Sequence, residues 1–451
     1  MKKSDSQGNV AYLPSVLPYW LLIFLAITVE LWFFPQTGLL LCILVSLYSL
    51  RGSKQSLESY FVLAYILIFG EGNIELGRWL ILFAGALRVG FDTLRDKQEF
   101  PKIVGPILIF FLTVFTLSFI SSDYLTVSLF KIVVLTIGLI TIFTLFYRTQ
   151  DLISYWLALI FTLGVFILFI SLPFYGSEIG FRRNRIGFQG ILVHPQTYGP
   201  VIASFTAFFI SLYLYRNAHS LLVIAGIILG LAGIFTSRAR TGMLAFVIGL
   251  VGVVLLLYIV KAGKRDFKIK INPALLIIGL LTLIFMTLNF DNITRSVHGY
   301  IFKYGSASNI SEAVTQSRSA LTERSMQNFY ESPLTGIGFG VPSSQSGFHA
   351  TRGPFGIPIA ASIEKGFLPS AILEEIGIIG AVSLVMLLFF LLKPVILSGT
   401  PLYIWIVLIA LSVNLGESIL FSLGGMGFFF WVLIAFCFTA ASNLNVPALS
   451  E

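Results

Sequence analysis

Residues 124–147 read YLTVSLFKIVVLTIGLITIFTLFY, and Lys131 is the single charge in the run. A helix of about 20 apolar residues crosses the roughly 30 Å hydrocarbon core of a bilayer, so this run is long enough to span one. It lacks the strict alternation of a half-buried strand and the polar face of a soluble surface helix. Working outward, comparable runs fall at 17–34, 37–50, 58–70, 78–91, 103–120, 152–174, 195–215, 220–236, 241–260, 273–288, 368–392, 401–422 and 424–441. The pattern predicts an all-α membrane protein, a bundle of about 14 (12–14) transmembrane helices. The runs at 37–50, 58–70 and 78–91 are short, so one of them is a candidate re-entrant segment.

Composition agrees with this reading. Of 451 residues, 57% are hydrophobic and 11% charged, against about 25% charged in a soluble domain. A cytoplasmic enzyme could not cover its surface with so little polarity, and disorder is excluded by the same balance. Cys42 and Cys437 lie in apolar runs and read as small buried side chains. CxxC and HExxH patterns are absent, so neither a metal nor a cofactor is expected. The net charge of +8 reads as loop orientation, with no nucleic acid partner. Met1-Lys2-Lys3 looks like a signal-peptide start, but no small-residue cleavage site follows, so the first span is expected to be retained.

Lys and Arg set orientation in short loops. With both termini inside, sixteen of the 29 fall on the inner side and six in the long segment 289–367. The remaining seven are Arg78, Lys131, Arg182, Arg183, Arg185, Arg238 and Arg240. Five of these form two clusters in short outer turns, Arg182-Arg183-Asn184-Arg185 and Ser237-Arg238-Ala239-Arg240, against the orientation rule. Such arginines need a local reason: headgroup phosphate reached by snorkelling, substrate phosphate, or a carboxylate.

On this topology the spans starting near 195, 241 and 368 begin outside. Their N-termini offer free N–H groups and a positive dipole end. Pro195 and Pro369 suit first-turn positions. Helix starts beside arginines make an anion site, and the guanidinium fork holds two phosphate oxygens at once. The domain division is an N-terminal set of helices (1–174), a core (175–288), the outer loop (289–367) and C-terminal helices (368–451). In the loop, Ser311 to Tyr330 reads as an amphipathic helix ended by Ser332-Pro333, with Arg318 embedded in a thin stripe of Val314, Leu321 and Phe329. Pro333 to Gly340 is a glycine-rich turn. The stretch beyond carries His349, Arg352 and Glu364-Lys365-Gly366.

Three stretches together resemble the O-antigen ligase and polysaccharide polymerase superfamily of polytopic membrane proteins. They are Gly190-Ile-Leu-Val-His194-Pro195-Gln196-Thr-Tyr-Gly199, then Thr236-Ser237-Arg238-Ala239-Arg240-Thr241, then Glu331-Ser-Pro333-Leu-Thr-Gly336-Ile-Gly338-Phe-Gly340 closing with Leu373-Glu374-Glu375-Ile-Gly377-Ile-Ile-Gly380. The resemblance covers about 185 to 390 by these motifs. It implies a metal-independent glycosyltransferase at the outer face of the bacterial inner membrane, with cytoplasmic termini and the long loop periplasmic or extracellular. The implied donor is a glycan on a polyprenyl diphosphate such as undecaprenyl diphosphate. The acceptor is a lipid core sugar in ligases or another lipid-linked repeat in polymerases. Membrane lipids and polysaccharide-export proteins are the implied partners.

The family's helix-turn arginine corresponds to Arg238, and the arginine ahead of its His/Asn-Pro motif to Arg185, with Arg183 or Arg182 able to take that place. Family ligases carry a histidine shortly before the Glu-x-Gly element. Here that window reads Glu364-Lys365-Gly366-Phe367-Leu368-Pro369-Ser370, without one. Diphosphate-binding candidates are therefore Arg185, Arg238, Arg240 and Arg183. Glu364 and His349 compete as general base, with Arg318, Glu375 and His194 supporting. Competing classes are a small-anion or inorganic-carbon transporter and a non-catalytic subunit of an envelope-polysaccharide assembly. The absence of internal repeats argues against the first.

Overall fold

The computed structural model describes residues 13–70, 74–216, 218–262, 319–344, 350–352, 358–361 and 365–444. The helices are α1 (Leu13–Phe33), α2 (Gly38–Ser49), α3 (Ser53–Phe69), α4 (Gly77–Asp96), α5 (Val104–Ser121), α6 (Leu125–Arg148), α7 (Ile153–Ser171), α8 (Pro195–Tyr215), α9 (Leu221–Thr236), α10 (Arg240–Ala262), α11 (Ser319–Glu331), α12 (Leu368–Leu397), α13 (Pro401–Ser412) and α14 (Gly425–Leu444). Strands β1 (Ala350–Arg352) and β2 (Pro358–Ala361) pair antiparallel, with Thr351 opposite Ala360. This hairpin lies within the long segment 289–367.

Thirteen of the fourteen apolar runs carry a helix; the fourteenth, 273–288, lies outside the described residues. Among the described residues seven helical stretches are long and apolar enough to cross a membrane: α5, α6, α7, α8, α10, α12 and α14. An eighth crossing arises if α1 and α2, bent by 112° at Phe34-Pro35, form one broken span. Against the expected count of about 14, length and composition among the described residues support a multi-pass bundle of seven or eight crossings. The physical reasons are local. α9 and α13 are short. Every residue of α3 from Ser56 to Phe69 is buried, so it is enclosed by other helices. α4 carries a buried ion cluster, in which Asp92 pairs with Arg88 (2.5 Å) and Arg148 (3.8 Å) and accepts from Ser53.

Helices α3, α7, α8, α13 and α14 are mostly buried and form the centre of the bundle. α5, α10 and α12 turn residues such as Leu112, Val254 and Val385 outward, as lipid-facing helices do. Contacts sort the connections into two ends. At one end, Val193 N–H donates to the Ile68 carbonyl and Phe188 N–H to Thr236. There too Phe421 packs on Phe339 (5.0 Å) and Phe339 N–H donates to Ser118. We call this the loop end. At the opposite end sit the Asp92 cluster and the Arg216–Tyr403 contact. The starts of α8, α10 and α12 share the loop end, as the charge count predicts.

Candidate functional site

The loop from α7 to α8 carries Arg182, Arg183 and Arg185, all exposed. It is held rigidly. Asn184 Oδ1 accepts the N–H groups of Ile186 (3.1 Å) and Gly187 (2.9 Å). Arg183 N–H donates to Gln189 Oε1 (3.1 Å), whose amide donates back to the Leu192 carbonyl (3.0 Å). The Tyr175 and Phe188 rings stack at 3.8 Å. The Phe188–Thr236 bond (3.0 Å) then ties the loop to the end of α9. Arg185 precedes this bond by three residues and Arg238 follows it by two, so one backbone contact brings together chain from both arginine clusters.

Both arginines have left-handed backbones, φ 57° at Arg185 and 52° at Arg238; among the described residues only Lys97 is another non-glycine case. Arg238 stands just past the end of α9, where glycine is the usual residue because it has no Cβ to clash. Side chains of Arg183, Arg185 and Arg238 make no hydrogen bond or ion pair among the described residues. Arg182 lies 5.5 Å from the Trp32 ring centroid. Arg240 opens α10 and is half-buried. His194 is the N-cap of α8, its Nδ1 accepting Gln196 N–H at 3.0 Å, with Pro195 in the first turn. A Cβ on Gly242 would lie 2.5 Å from the Gly199 carbonyl carbon. Two of the motif stretches thus meet backbone to backbone at the starts of α8 and α10.

The third motif forms a separate hub. α12 is broken at Gly377 (φ 58°), and the turn Pro333 to Gly340 docks in the break. Ile337 and Gly338 N–H donate to the carbonyls of Glu374 (2.8 Å) and Glu375 (3.0 Å). In return Ile378 and Ile379 N–H donate to Pro333 (2.9 Å) and Leu334 (3.3 Å). The helix has exchanged its own hydrogen bonds for bonds to the loop, as buried backbone requires. A Cβ on Gly336 would lie 2.5 Å from the Glu375 carbonyl carbon, and one on Gly377 would strike the Leu334 carbonyl. That is why the motif is written in glycine.

Side chains lock the same junction. Glu374 is fully buried. Its Oε2 accepts Ser325 (2.7 Å), Ser343 (3.0 Å) and Lys365 (2.6 Å), and its Oε1 accepts Asn328 (2.6 Å). Glu375 Oε2 accepts Gly340 N–H (2.7 Å), and its Oε1 lies 3.7 Å from Lys365 Nζ. Lys131 stands over the Phe339 ring at 5.3 Å, which brings the single charge of the 124–147 run to this hub. The segment from Val413 to Gly425 runs between the regions, with Gly416 against Thr241 and Phe421 against Phe339.

The structure therefore joins the chain around Arg185 and Arg238, gives His194 a capping place, and puts Glu375 in the hub. Arg318, His349 and Glu364 lie outside the described residues. Sequence reasoning missed Lys365 and Lys131. The legible signal was a lone lysine in an apolar span and a lysine ahead of two carboxylates on a helix start. Among the described residues no group of three His, Cys, Asp or Glu side chains is placed to hold a metal ion.

Residues 225–385 match the model of a protein family described as O-antigen ligase. The matched stretch includes Arg238, Arg240 and all of the hub except Lys131. It starts later than the motif resemblance did, leaving Arg182 to His194 ahead of it. No curated protein matches the chain.

Proposed function

We propose that this O-antigen ligase-like, multi-pass membrane protein transfers a glycan from a polyprenyl diphosphate to a sugar hydroxyl at the loop end. The acceptor is another lipid-linked glycan or a lipid core sugar. One observation carries the reading: Arg185 and Arg238, on loops bonded to each other, hold left-handed backbones and leave their guanidinium groups without hydrogen-bond or ion-pair partners among the described residues. Strain of this kind persists where surrounding structure enforces it, and it gathers at functional sites.

The chemistry follows from the leaving group. As the glycosidic bond breaks, the polyprenyl diphosphate gains negative charge. Fixed guanidinium groups stabilise that charge without reorganising, and each can take two phosphate oxygens. Arg183 and Arg240 flank the pair and belong to the same anion site. The acceptor hydroxyl loses its proton to a base. Glu374 and Glu375 are buried, with oxygens that accept bonds inside the fold, and are not assigned that role. Glu364 and His349 stay the candidates for that role, and Arg318 a supporting cation. The same reading places the loop end on the outer face of the inner membrane and both termini in the cytoplasm, with polysaccharide-export proteins as receivers of the product.

The test uses purified protein in lipid nanodiscs with a defined polyprenyl-diphosphate oligosaccharide and a chelator present. Longer lipid-linked products indicate polymerisation, and transfer to a separate acceptor indicates ligation. Arg238→Ala should lower turnover about 10²–10³-fold, the usual loss of one charge-stabilising group. Turnover within twofold of wild type in that variant would falsify the proposal.

A further inference from the structure

Seven basic residues fall at short outer turns on the expected topology, and the two arginine clusters take five of them. The two left over are Arg78 and Lys131. A closed ring of contacts joins them at the loop end. Arg78 lies 4.8 Å from the ring centroid of its neighbour Trp79, and Trp79 meets Phe130, the residue before Lys131, edge to face at 5.5 Å. Lys131 stands over Phe339 (5.3 Å), and Phe339 packs on Phe421 (5.0 Å). Gly424, a few residues on, returns to Arg78: a Cβ there would lie 3.2 Å from the guanidinium. Both cations are half-buried.

The hub does not consume Lys131. Glu374 holds Lys365 at 2.6 Å, and Glu375 accepts the Gly340 N–H and lies 3.7 Å from Lys365. Lys131 itself makes no hydrogen bond or ion pair among the described residues. A half-buried ammonium in a membrane-embedded helix is costly unless an anion meets it, and the carboxylates nearby are engaged with Lys365. Arginine offers a planar fork and lysine a point charge, and both suit phosphate oxygens. α14 opens at Gly425, next to Gly424, and no atom lies within 4 Å of where a Gly425 Cβ would stand. That helix start adds a positive dipole end to the two cations.

The ring is separate from the Arg185–Arg238 site but not far from it. Gly416 packs against Thr241, beside Arg240, and Gly424 against Arg78. Fully extended, the chain between these two glycines spans no more than about 29 Å. A lipid-linked acceptor brings its hydroxyl to the donor's leaving group while its own diphosphate stays at headgroup level, on the same face. We propose that Lys131 and Arg78 form a second phosphate-binding place, which holds the diphosphate of a lipid-linked acceptor. Resting on the glycosyl-transfer reading, this place selects a lipid-linked glycan as acceptor over a lipid core sugar.

The test uses the full chain in phosphatidylcholine nanodiscs, with labelled polyprenyl diphosphate as probe. Wild type should bind a second equivalent beyond the one taken by Arg185 and Arg238. Lys131→Met keeps an unbranched stem over Phe339 and removes the charge. Affinity for the second equivalent should fall about tenfold or more, the usual worth of one charge-assisted bond, and the first should stay within about twofold. Lys131→Arg should restore it. Arg78→Lys keeps a cation without the fork and should weaken the second equivalent about threefold. In transfer assays at saturating donor, Lys131→Met should raise the acceptor KM about tenfold with kcat within about threefold.

A single equivalent bound by wild type, or two bound equally well by Lys131→Met, overturns the second place. Nanodiscs carrying labelled phosphatidylglycerol separate the two sources of phosphate. If Lys131→Met releases that lipid and leaves polyprenyl-diphosphate binding unchanged, the cations serve a membrane headgroup and the acceptor assignment is overturned. If wild type transfers no glycan, the reaction reading fails, and the binding count still decides the second place.

Discussion

The arginine rim and the glutamate hub lie at the same end of the bundle and are built on opposite principles. In the hub, Glu374 is fully buried and meets four donors, and α12 and the loop exchange backbone bonds pair for pair. In the rim, Arg183, Arg185 and Arg238 are exposed, and two of them hold strained backbones. A group with all its bonds made inside the fold supports the fold. A cation held in place with no bond among the described residues is available to bind something else. The contrast distinguishes charge that the fold consumes from charge that it leaves available.

The comparison breaks most visibly at the rim's chemistry. Replacing Arg185 and Arg238 together by Ala should cost about 10³-fold in turnover, about 4 kcal/mol of barrier. Stability of the bundle should change by less than about 0.5 kcal/mol, because exposed groups without partners among the described residues contribute little to it. Activity assays beside denaturant titration measure both. A large loss of stability would place the arginines in the hub's category and blur the distinction.

The hub should behave inversely. Lys365→Met leaves Glu374 buried without its cation, and breaking a buried pair from one side costs about 3 kcal/mol. The variant should unfold earlier under denaturant, while the loop bearing Arg185 keeps its protection in hydrogen exchange. Gly377→Ala should cost about 2 kcal/mol. Its backbone is left-handed, and its Cβ would press on the Leu334 carbonyl. If either variant melts like wild type, the junction at the α12 break does not hold the loop, and the hub loses its meaning.

How much of this could be read from sequence differs between the regions for physical reasons. Apolar runs announce helices because the bilayer demands them, and thirteen of fourteen runs carry one. Whether each run crosses depends on more than apolarity: α9 and α13 are short, and α1 and α2 are bent by 112° at Phe34-Pro35. The rim was legible as arginines that the expected topology puts on the wrong side of an orientation rule. The hub was half legible. Glu374 and Glu375 stood out as part of the Leu373 to Gly380 motif, but their partners come from Ser325, Asn328, Ser343, Lys365 and Gly340. Such convergence is a property of the tertiary fold, and spacing along the chain does not encode it. The left-handed backbones were hidden for a related reason, since arginine carries no sign that its φ will be positive.

The smallest expected effect is the most discriminating. At the end of α9 glycine would be the comfortable residue, and arginine there costs about 1 kcal/mol of backbone strain. Arg238→Gly should therefore keep stability unchanged or raise it by about 0.5–1 kcal/mol, since glycine's greater freedom in the unfolded chain takes back part of the relief. The same substitution should lower turnover as far as Arg238→Ala does. A more stable and less active protein would mean that the strain is tolerated for the guanidinium it places. If Arg238→Gly is instead less stable, the arginine side chain supports the fold by a contact of its own, and the rim has to be read as a second hub.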